Sequence, residues 1–99
     1  MKFWVKIQEI RQDVRNEHIV AVCDHDLLGK TVENTKISES FYKGELMEKD
    51  KMVTELKKAT IGNIFGNNAV DAAIEAGITA EQNVRKFDGI KHAQIFIFG

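Results

Sequence analysis

The chain has 99 residues, with 14 Lys or Arg against 15 Asp or Glu, and its formal net charge is −1. A near-neutral chain is not a protein held to nucleic acid or membranes by a strong overall charge. Hydrophobic residues make up 43% and charged residues 29%, a globular composition that excludes a disordered or fibrous protein. We therefore expect a single domain spanning residues 1–99.

Cys23 is the one cysteine, so no intrachain disulfide can form, and the sequence favours a reducing, cytoplasmic location. The apolar runs are too short and too interrupted to span a bilayer, so no membrane association is expected.

The first third of the chain has strand patterns. Phe3, Val5 and Ile7 alternate with polar or amphipathic neighbours, which predicts a half-buried strand. A polar loop is expected over residues 11–17, followed by a fully apolar central strand at 18–23 and a turn at 24–31. The two strands should form an antiparallel hairpin, and residues 36–42 have a weaker third strand pattern.

The middle of the chain has helical spacing. A helix is predicted from about residue 48 to residue 60, and a Gly/Asn corner then separates it from a second helix at 69–76. Gly77 should end that helix, and the Thr79-to-Gln82 spacing predicts a capping box and a short third helix.

The last part of the chain predicts a hairpin. Asp88-Gly89 is a strong two-residue turn signal, and residues 93–98 form an apolar closing strand. The order of strands, helices and strands indicates an α+β domain. We expect a mostly antiparallel sheet with two to three helices packed on one face.

The Gly/Asn corner is a candidate anion site. Backbone N–H groups at a helix N-terminus behind a flexible loop can bind an anion, and asparagine side chains add donors. The candidate residues are Gly62, Asn63, Gly66, Asn67 and Asn68. The alternative is a simple helix corner in which Asn68 caps the following helix.

Five segments occur in order: AVCD at 21–24, LLGKT at 27–31, SESFYKGEL at 38–46, IGNIFGNNAVDAAIEAG at 61–77 and HAQIF at 92–96. Together they resemble a small, mainly archaeal domain-of-unknown-function family, number 424. The resemblance implies a free-standing intracellular protein, with no established activity to transfer. It also suggests a setting near translation genes, and hence an RNA or ribonucleoprotein partner.

No catalytic or metal motif stands out. Cys23 to Asp26 place four ligand-type side chains in a row, with His18 and His92 as distant candidates. Structural zinc sites need a second cysteine or histidine pair that this chain lacks. Cys23 also lies in the most core-like strand, where a thiol is inert. We therefore expect no metal, no cofactor and no catalytic residue, and the sequence does not indicate an enzyme.

Three functional hypotheses remain open. The first is a small non-enzymatic module that binds RNA or the translation machinery through a basic and aromatic surface. Its candidate residues are Trp4, Lys6, Arg11, Arg15, Tyr42 and Lys43.

The second hypothesis is a protein-interaction subunit or homodimer, with Trp4, Phe96 and Phe98 on an uncovered sheet face. The third is a small anion- or metabolite-binding protein, or an enzyme. It would use the Gly/Asn corner with Cys23, His25 or His92, and it requires a pocket where these residues converge.

Overall fold

A long antiparallel hairpin begins the fold. Strands β1 (Lys2–Gln12) and β2 (Arg15–Asp24) pair from Phe3 opposite Asp24 to Gln12 opposite Arg15. The predicted hairpin is confirmed, but most of the expected loop at residues 11–17 is strand. Its polar side chains are compatible with strand structure because this end of the ladder extends beyond the neighbouring strands as an exposed arm.

The computed structural model describes residues 1–97. The elements after the hairpin are β3 (Thr31–Val32), β4 (Thr35–Lys36), α1 (Glu39–Tyr42), β5 (Glu45–Glu48), α2 (Lys49–Leu56), β6 (Ile61–Phe65), α3 (Asn67–Glu75), a 3-10 helix (Glu81–Asn83), β7 (Arg85–Phe87) and β8 (Ile90–Phe96). Six strands form one sheet in the order β5-β1-β2-β6-β8-β7, and β3 pairs with β4 separately. All neighbours in the large sheet are antiparallel except β2 and β6. The α+β class with a mostly antiparallel sheet is therefore confirmed.

Strand β6 corrects the expected Gly/Asn corner. Residues 61–65 do not turn between helices; they form an interior strand parallel to β2 and antiparallel to β8. Burial explains the difference, since Ile64 and Phe65 lie in the core. There is also little space for a side chain at Gly62, because a Cβ there would lie 3.3 Å from side-chain atoms of both Leu56 and Ile95.

Apolar clusters cover both faces of the sheet. On one face, called here the α2/α3 face, Val22 and Ile64 pack with Leu56 of α2 and Val70 of α3. The opposite face has its own cluster, formed by Ala21, Cys23, Leu27, Val32, Ile37, Tyr42 and Phe65. Packing of all helices on one face is not confirmed, because α1 contributes Tyr42 to the opposite face.

Three local predictions have mixed outcomes. The weak strand at 36–42 is wrong, because Ser38 caps α1 there: the N–H of Phe41 donates to its hydroxyl at 3.2 Å. The short third helix is the 3-10 helix, but Ala80 precedes it with no side-chain cap, so the capping box does not form. The hairpin turn is confirmed, with φ of 50° at Asp88 and 78° at Gly89.

The helices within residues 1–97 are short, and none of them is long and apolar enough to cross a membrane. Phe98, predicted to lie on an uncovered face, is outside the described residues.

Candidate functional site

The N-terminus of α3 already binds a carboxylate of the protein itself. The backbone N–H of Asn68 donates to Asp24 Oδ2 at 3.1 Å, and the N–H of Ala69 donates to Asp24 Oδ1 at 2.8 Å. Asp24 is only 6% exposed. The N–H groups expected to bind an external anion are thus occupied by Asp24, whose carboxylate neutralises the positive end of the helix dipole.

The five predicted anion-site residues do not form one site. Gly66 is the N-cap of α3, with φ of 121°, and Asn68 lies inside the helix, so the expected Asn68 cap is wrong. Asn67 instead accepts a hydrogen bond from the N–H of Lys91 at 2.8 Å. Gly62 and Asn63 belong to β6, and Asn63 lies on the opposite face of the sheet from α3.

The surroundings of Asp24 do not favour an additional anion. Burial raises the pKa of its carboxyl group, although the two backbone hydrogen bonds act to lower it and Asp26 raises it further. A cavity of about 550 Å³ lies beside it, and Lys2, His25 and Asn68 are among its lining residues together with Asp26. The two carboxylates make this cavity a poor anion site.

Asn63 joins two distant side chains on the opposite face. The hydroxyl of Tyr42 donates to Asn63 Oδ1 at 2.7 Å, and His92 Nε2 lies 3.0 Å from the same oxygen. Tyr42 is buried, and burial raises the pKa of its hydroxyl, so it remains a donor at ordinary pH. Strand β6 therefore brings together three residues of the sequence hypotheses: Tyr42, Asn63 and His92.

The hydrogen bond to Asn63 defines the state of the His92 ring. An amide oxygen can only accept, so Nε2 must carry the proton, and Nδ1 of the neutral ring is an acceptor. Burial lowers the pKa of His92, and the charge of Arg85 lowers it further. The ring is therefore neutral near pH 7.

Aromatic rings surround His92. The ring centroids of Phe65 and Phe87 lie 5.0 and 5.9 Å from that of His92, both in edge arrangements. Strand pairing fixes this order, because Phe65 is opposite His92 between β6 and β8.

A groove of about 510 Å³ opens beside this cluster, which is within the usual size range of small-ligand sites. It is lined by Gln82, Asn83, Val84, Arg85, Phe87, His92 and Gln94. These residues provide one guanidinium group, three amide side chains and two aromatic rings. None of the described lining residues carries a carboxylate. The groove is therefore suited to a planar, polar or anionic ligand.

Sequence reasoning missed most of this groove. It named His92 as a distant metal candidate and as a pocket residue of the metabolite-binding or enzyme hypothesis, but it did not consider Arg85, Phe87 or Gln94. The Asp88-Gly89 turn contained a usable signal, because a two-residue hairpin turn places Arg85 opposite His92, as observed.

The predicted RNA surface is divided. Lys43 Nζ lies 5.8 Å from the ring centroid of half-buried Trp4, and Lys6 Nζ donates to the carbonyl of Ser40 at 2.5 Å. Tyr42 is buried beneath them. Arg11 is about 23 Å from Trp4 at roughly 3.3 Å per strand residue.

Arg15 also lies near the tip of the exposed arm, 3.4 Å from Glu17. The structure thus brings Trp4, Lys6 and Lys43 together, but Arg11 and Arg15 lie away from them.

The other catalytic and metal candidates stay separate from the groove. Cys23 is fully buried, and burial, with the charges of Asp24 and Asp26, raises its pKa to about 12. Within residues 1–97, no three His, Cys, Asp or Glu side chains are arranged to hold a metal ion. His25 is exposed and lines the cavity beside Asp24, whereas His92 lines the groove.

Comparison with known proteins identifies the family. A family model described as "Protein of unknown function (DUF424)" matches residues 12–98, and the chain belongs to this family. A crystal structure of an uncharacterized conserved protein from Methanopyrus kandleri has a similar fold, with a TM-score of 0.77 and 24% sequence identity over 100% of both chains. No curated protein matches the sequence.

Proposed function

We propose that this member of the DUF424 family is a small, non-enzymatic module that binds single-stranded RNA. The observation that carries the proposal is the groove beside His92, where a guanidinium group, amides and aromatic rings meet without a carboxylate in a chain of net charge −1. The proposed setting is the cytoplasm and the translation machinery, as the family resemblance suggested.

The lining of the groove matches the chemistry of an unpaired nucleotide. Unpaired bases stack on aromatic side chains or guanidinium planes and form hydrogen bonds with polar side chains along their edges. Phe87 and His92 offer the rings, Gln82 and Gln94 offer amides, and Arg85 offers a positive charge for a phosphate.

The charge pattern favours a local contact over a long basic surface. Several lysines have acidic partners on the protein itself: Lys49 with Glu75 at 3.1 Å, Lys51 with Glu45 at 2.7 Å and Lys91 with Asp71 at 2.7 Å. Few phosphates would then be neutralised, so we expect the affinity for RNA to fall only weakly with salt.

We propose binding and not catalysis because of the groups around His92. A histidine that acts as a general base usually has a second acid or base nearby. The titratable neighbours here are Arg85 and the Tyr42 hydroxyl, whose pKa is raised by burial. Such groups position a ligand better than they transfer its protons.

The test is fluorescence anisotropy with a labelled, unstructured RNA of mixed sequence. We expect the wild type to bind, Phe87→Ala to weaken binding about tenfold, as for loss of one stacked base, and Arg85→Ala to weaken it by removing a phosphate contact. Lys58→Ala, which removes an exposed cation paired with Glu55 at 3.5 Å, is the matched control. Equal binding by all folded variants, or no binding by the wild type, would overturn the proposal.

One observation supports the homodimer as a second candidate. On the opposite face, Ile19, Ile61 and Phe96 lie side by side across β2, β6 and β8, with Ile10 nearby on β1. Phe96 is 53% and Ile10 40% exposed. Analytical ultracentrifugation of the wild type and of Ile10→Glu tests this candidate: a dimer that the substitution dissociates supports it, and a monomeric wild type contradicts it.

A further inference from the structure

The groove contains a hydrogen-bond acceptor whose identity the fold determines. Asn63 Oδ1 receives the Tyr42 hydroxyl and the Nε2–H of His92, so the acceptor of the His92 ring is Nδ1. Within residues 1–97 Nδ1 has no hydrogen-bond partner, and it is not among the buried unpartnered polar atoms there. Nδ1 is therefore not fully enclosed, and it belongs to a residue that lines the groove.

We propose that the groove selects a nucleotide with an amino group at C6 of adenine or C4 of cytosine, and that this group donates to His92 Nδ1. The inference rests on the proposed function and names the ligand class for the same groove. The base of the nucleotide would stack along Phe87, and its phosphate would lie near Arg85. The amides of Gln82 and Gln94 would form hydrogen bonds with the edge of the base.

The selection has a direct chemical reason. Adenine and cytosine present an amino donor where hypoxanthine and uracil present a keto oxygen at the equivalent position. A keto oxygen facing Nδ1 would place two acceptors together and leave both without a donor. Sites built around a required hydrogen bond reject analogues that lack it far more strongly than apolar pockets reject size variants.

Asn63 and Tyr42 are positioning residues in this scheme, because they act through His92. Tyr42 is buried and comes from α1, whereas Asn63 comes from β6, so two separate elements fix one ring. If Asn63 were replaced by Ala, Nε2 would lose its acceptor, and the ring could exchange tautomers or rotate. We therefore expect Asn63→Ala to lower the preference for amino over keto bases more than it lowers the affinity for nucleotides.

The experiment is an NMR titration of the full chain with four mononucleotides in two matched pairs, AMP against IMP and CMP against UMP. Each pair differs at the amino or keto position that Nδ1 would contact. We expect the amino member of each pair to bind about tenfold more tightly, as one good hydrogen bond provides. Long-range histidine ¹⁵N spectra should show Nε2–H in the free wild type and a mixture of tautomers in Asn63→Ala.

Two variants at His92 separate hydrogen bonding from shape. His92→Phe keeps a ring but has no acceptor, and it should bind both members of a pair equally. His92→Gln keeps an acceptor through its amide oxygen, and it should retain part of the preference. Equal affinities in the wild type, an unchanged preference in His92→Phe, or no nucleotide binding would each overturn the inference.

The outcomes also separate the inference from the function beneath it. RNA binding that depends on Arg85 and Phe87, without an amino preference, overturns the base selection and leaves the RNA-binding module standing. Amino-selective mononucleotide binding without RNA binding overturns the RNA function and leaves a nucleotide site. Loss of both would remove the groove as a ligand site.

Discussion

The carboxyl group of Asp24 lies so close to Gly66 that no side chain fits between them: a Cβ on Gly66 would be 2.7 Å from both carboxylate oxygens. Asp24 ends β2, and Gly66 connects the neighbouring parallel strand β6 to α3. This contact lets the end of one central strand cap the helix that follows the other. The sheet and the helix therefore depend on each other at this point.

Gly66→Ala should be strongly destabilising. The residue has φ of 121° and ψ of 145°, a region that essentially only glycine adopts, and the added methyl group would push against the Asp24 carboxylate. We expect a loss of about 3 kcal/mol or more in the free energy of unfolding, measured by urea denaturation.

Gly29→Ala is the matched control for Gly66→Ala. Gly29 also has positive φ, 85°, but a Cβ there would meet no atom within 4 Å. The free energy of unfolding of Gly29→Ala should therefore fall only by the backbone strain, about 1 kcal/mol. Equal losses in the two variants would show that the contact with Asp24 contributes nothing.

The Asp24 carboxyl group should make the protein more stable in acid relative to an Asp24→Asn variant. Burial raises its folded-state pKa above the ordinary 3.8, so the folded protein binds this proton more tightly than the unfolded chain. The resulting stabilisation is complete below pH 3.8 and is lost as the pH rises through the folded pKa. Denaturation curves of both proteins from acid to neutral pH, with a carboxyl NMR titration of Asp24, measure this.

The Asn variant should also be less stable near neutral pH by about 1 kcal/mol, because one amide oxygen cannot replace both carboxylate acceptors for the N–H groups of Asn68 and Ala69. Asp13→Asn, which changes an exposed carboxylate at the tip of the β1–β2 arm, is the control. A wild-type advantage that grows with rising pH would contradict the expected sign for Asp24.

Local signals predicted much of this fold. The alternation in β1, the apolar run of β2 and the Asp88-Gly89 turn each specify their structure through neighbouring residues. Gly77 likewise ends α3 with φ of 75°, as its position indicated. These features depend on neighbouring residues and not on distant contacts, so they could be predicted from the sequence.

Strand β6 could not be predicted in the same way. Its sequence, IGNIF, contains a glycine and an asparagine, which usually mark a turn. Here a Cβ at Gly62 would press on the side chains of Leu56 and Ile95, and the Asn63 amide oxygen is the shared hydrogen-bond partner of Tyr42 and His92.

The cap on α3 depends on long-range contact as well, since Asp24 is 44 residues away from Asn68. The candidate groove depends on both β6 and the β7–β8 hairpin, so sequence patterns revealed only its separate parts.

Cys23 should be unreactive in the native protein. Its side chain is fully buried, and its pKa of about 12 leaves almost no thiolate near neutral pH. We expect Ellman's reagent to modify it only at the rate of protein opening, and rapidly once urea unfolds the chain. Fast modification under native conditions would mean that the opposite-face cluster around Cys23 opens readily, and would reopen the case for a reactive thiol.

His92 should have the opposite effect on pH dependence from Asp24. Burial, and then the charge of Arg85, lower its folded-state pKa below the ordinary 6.5, so the folded protein binds this proton less tightly than the unfolded chain. The stability that results is complete above pH 6.5 and is lost as the pH falls through the folded pKa. The neighbouring Tyr42 hydroxyl stays protonated throughout this range and does not change the sign.

His92→Gln should remove this acid-dependent loss, because Gln keeps a donor for Asn63 but does not titrate. His25→Gln, which changes an exposed histidine, is the matched control and should leave the pH dependence of the wild type. Thermal unfolding of the three proteins between neutral and mildly acidic pH measures the difference. If His92→Gln loses stability in acid as steeply as the wild type, the neutral ring held by Asn63 is not the origin of the effect. The tautomer argument for the groove would then lose its support.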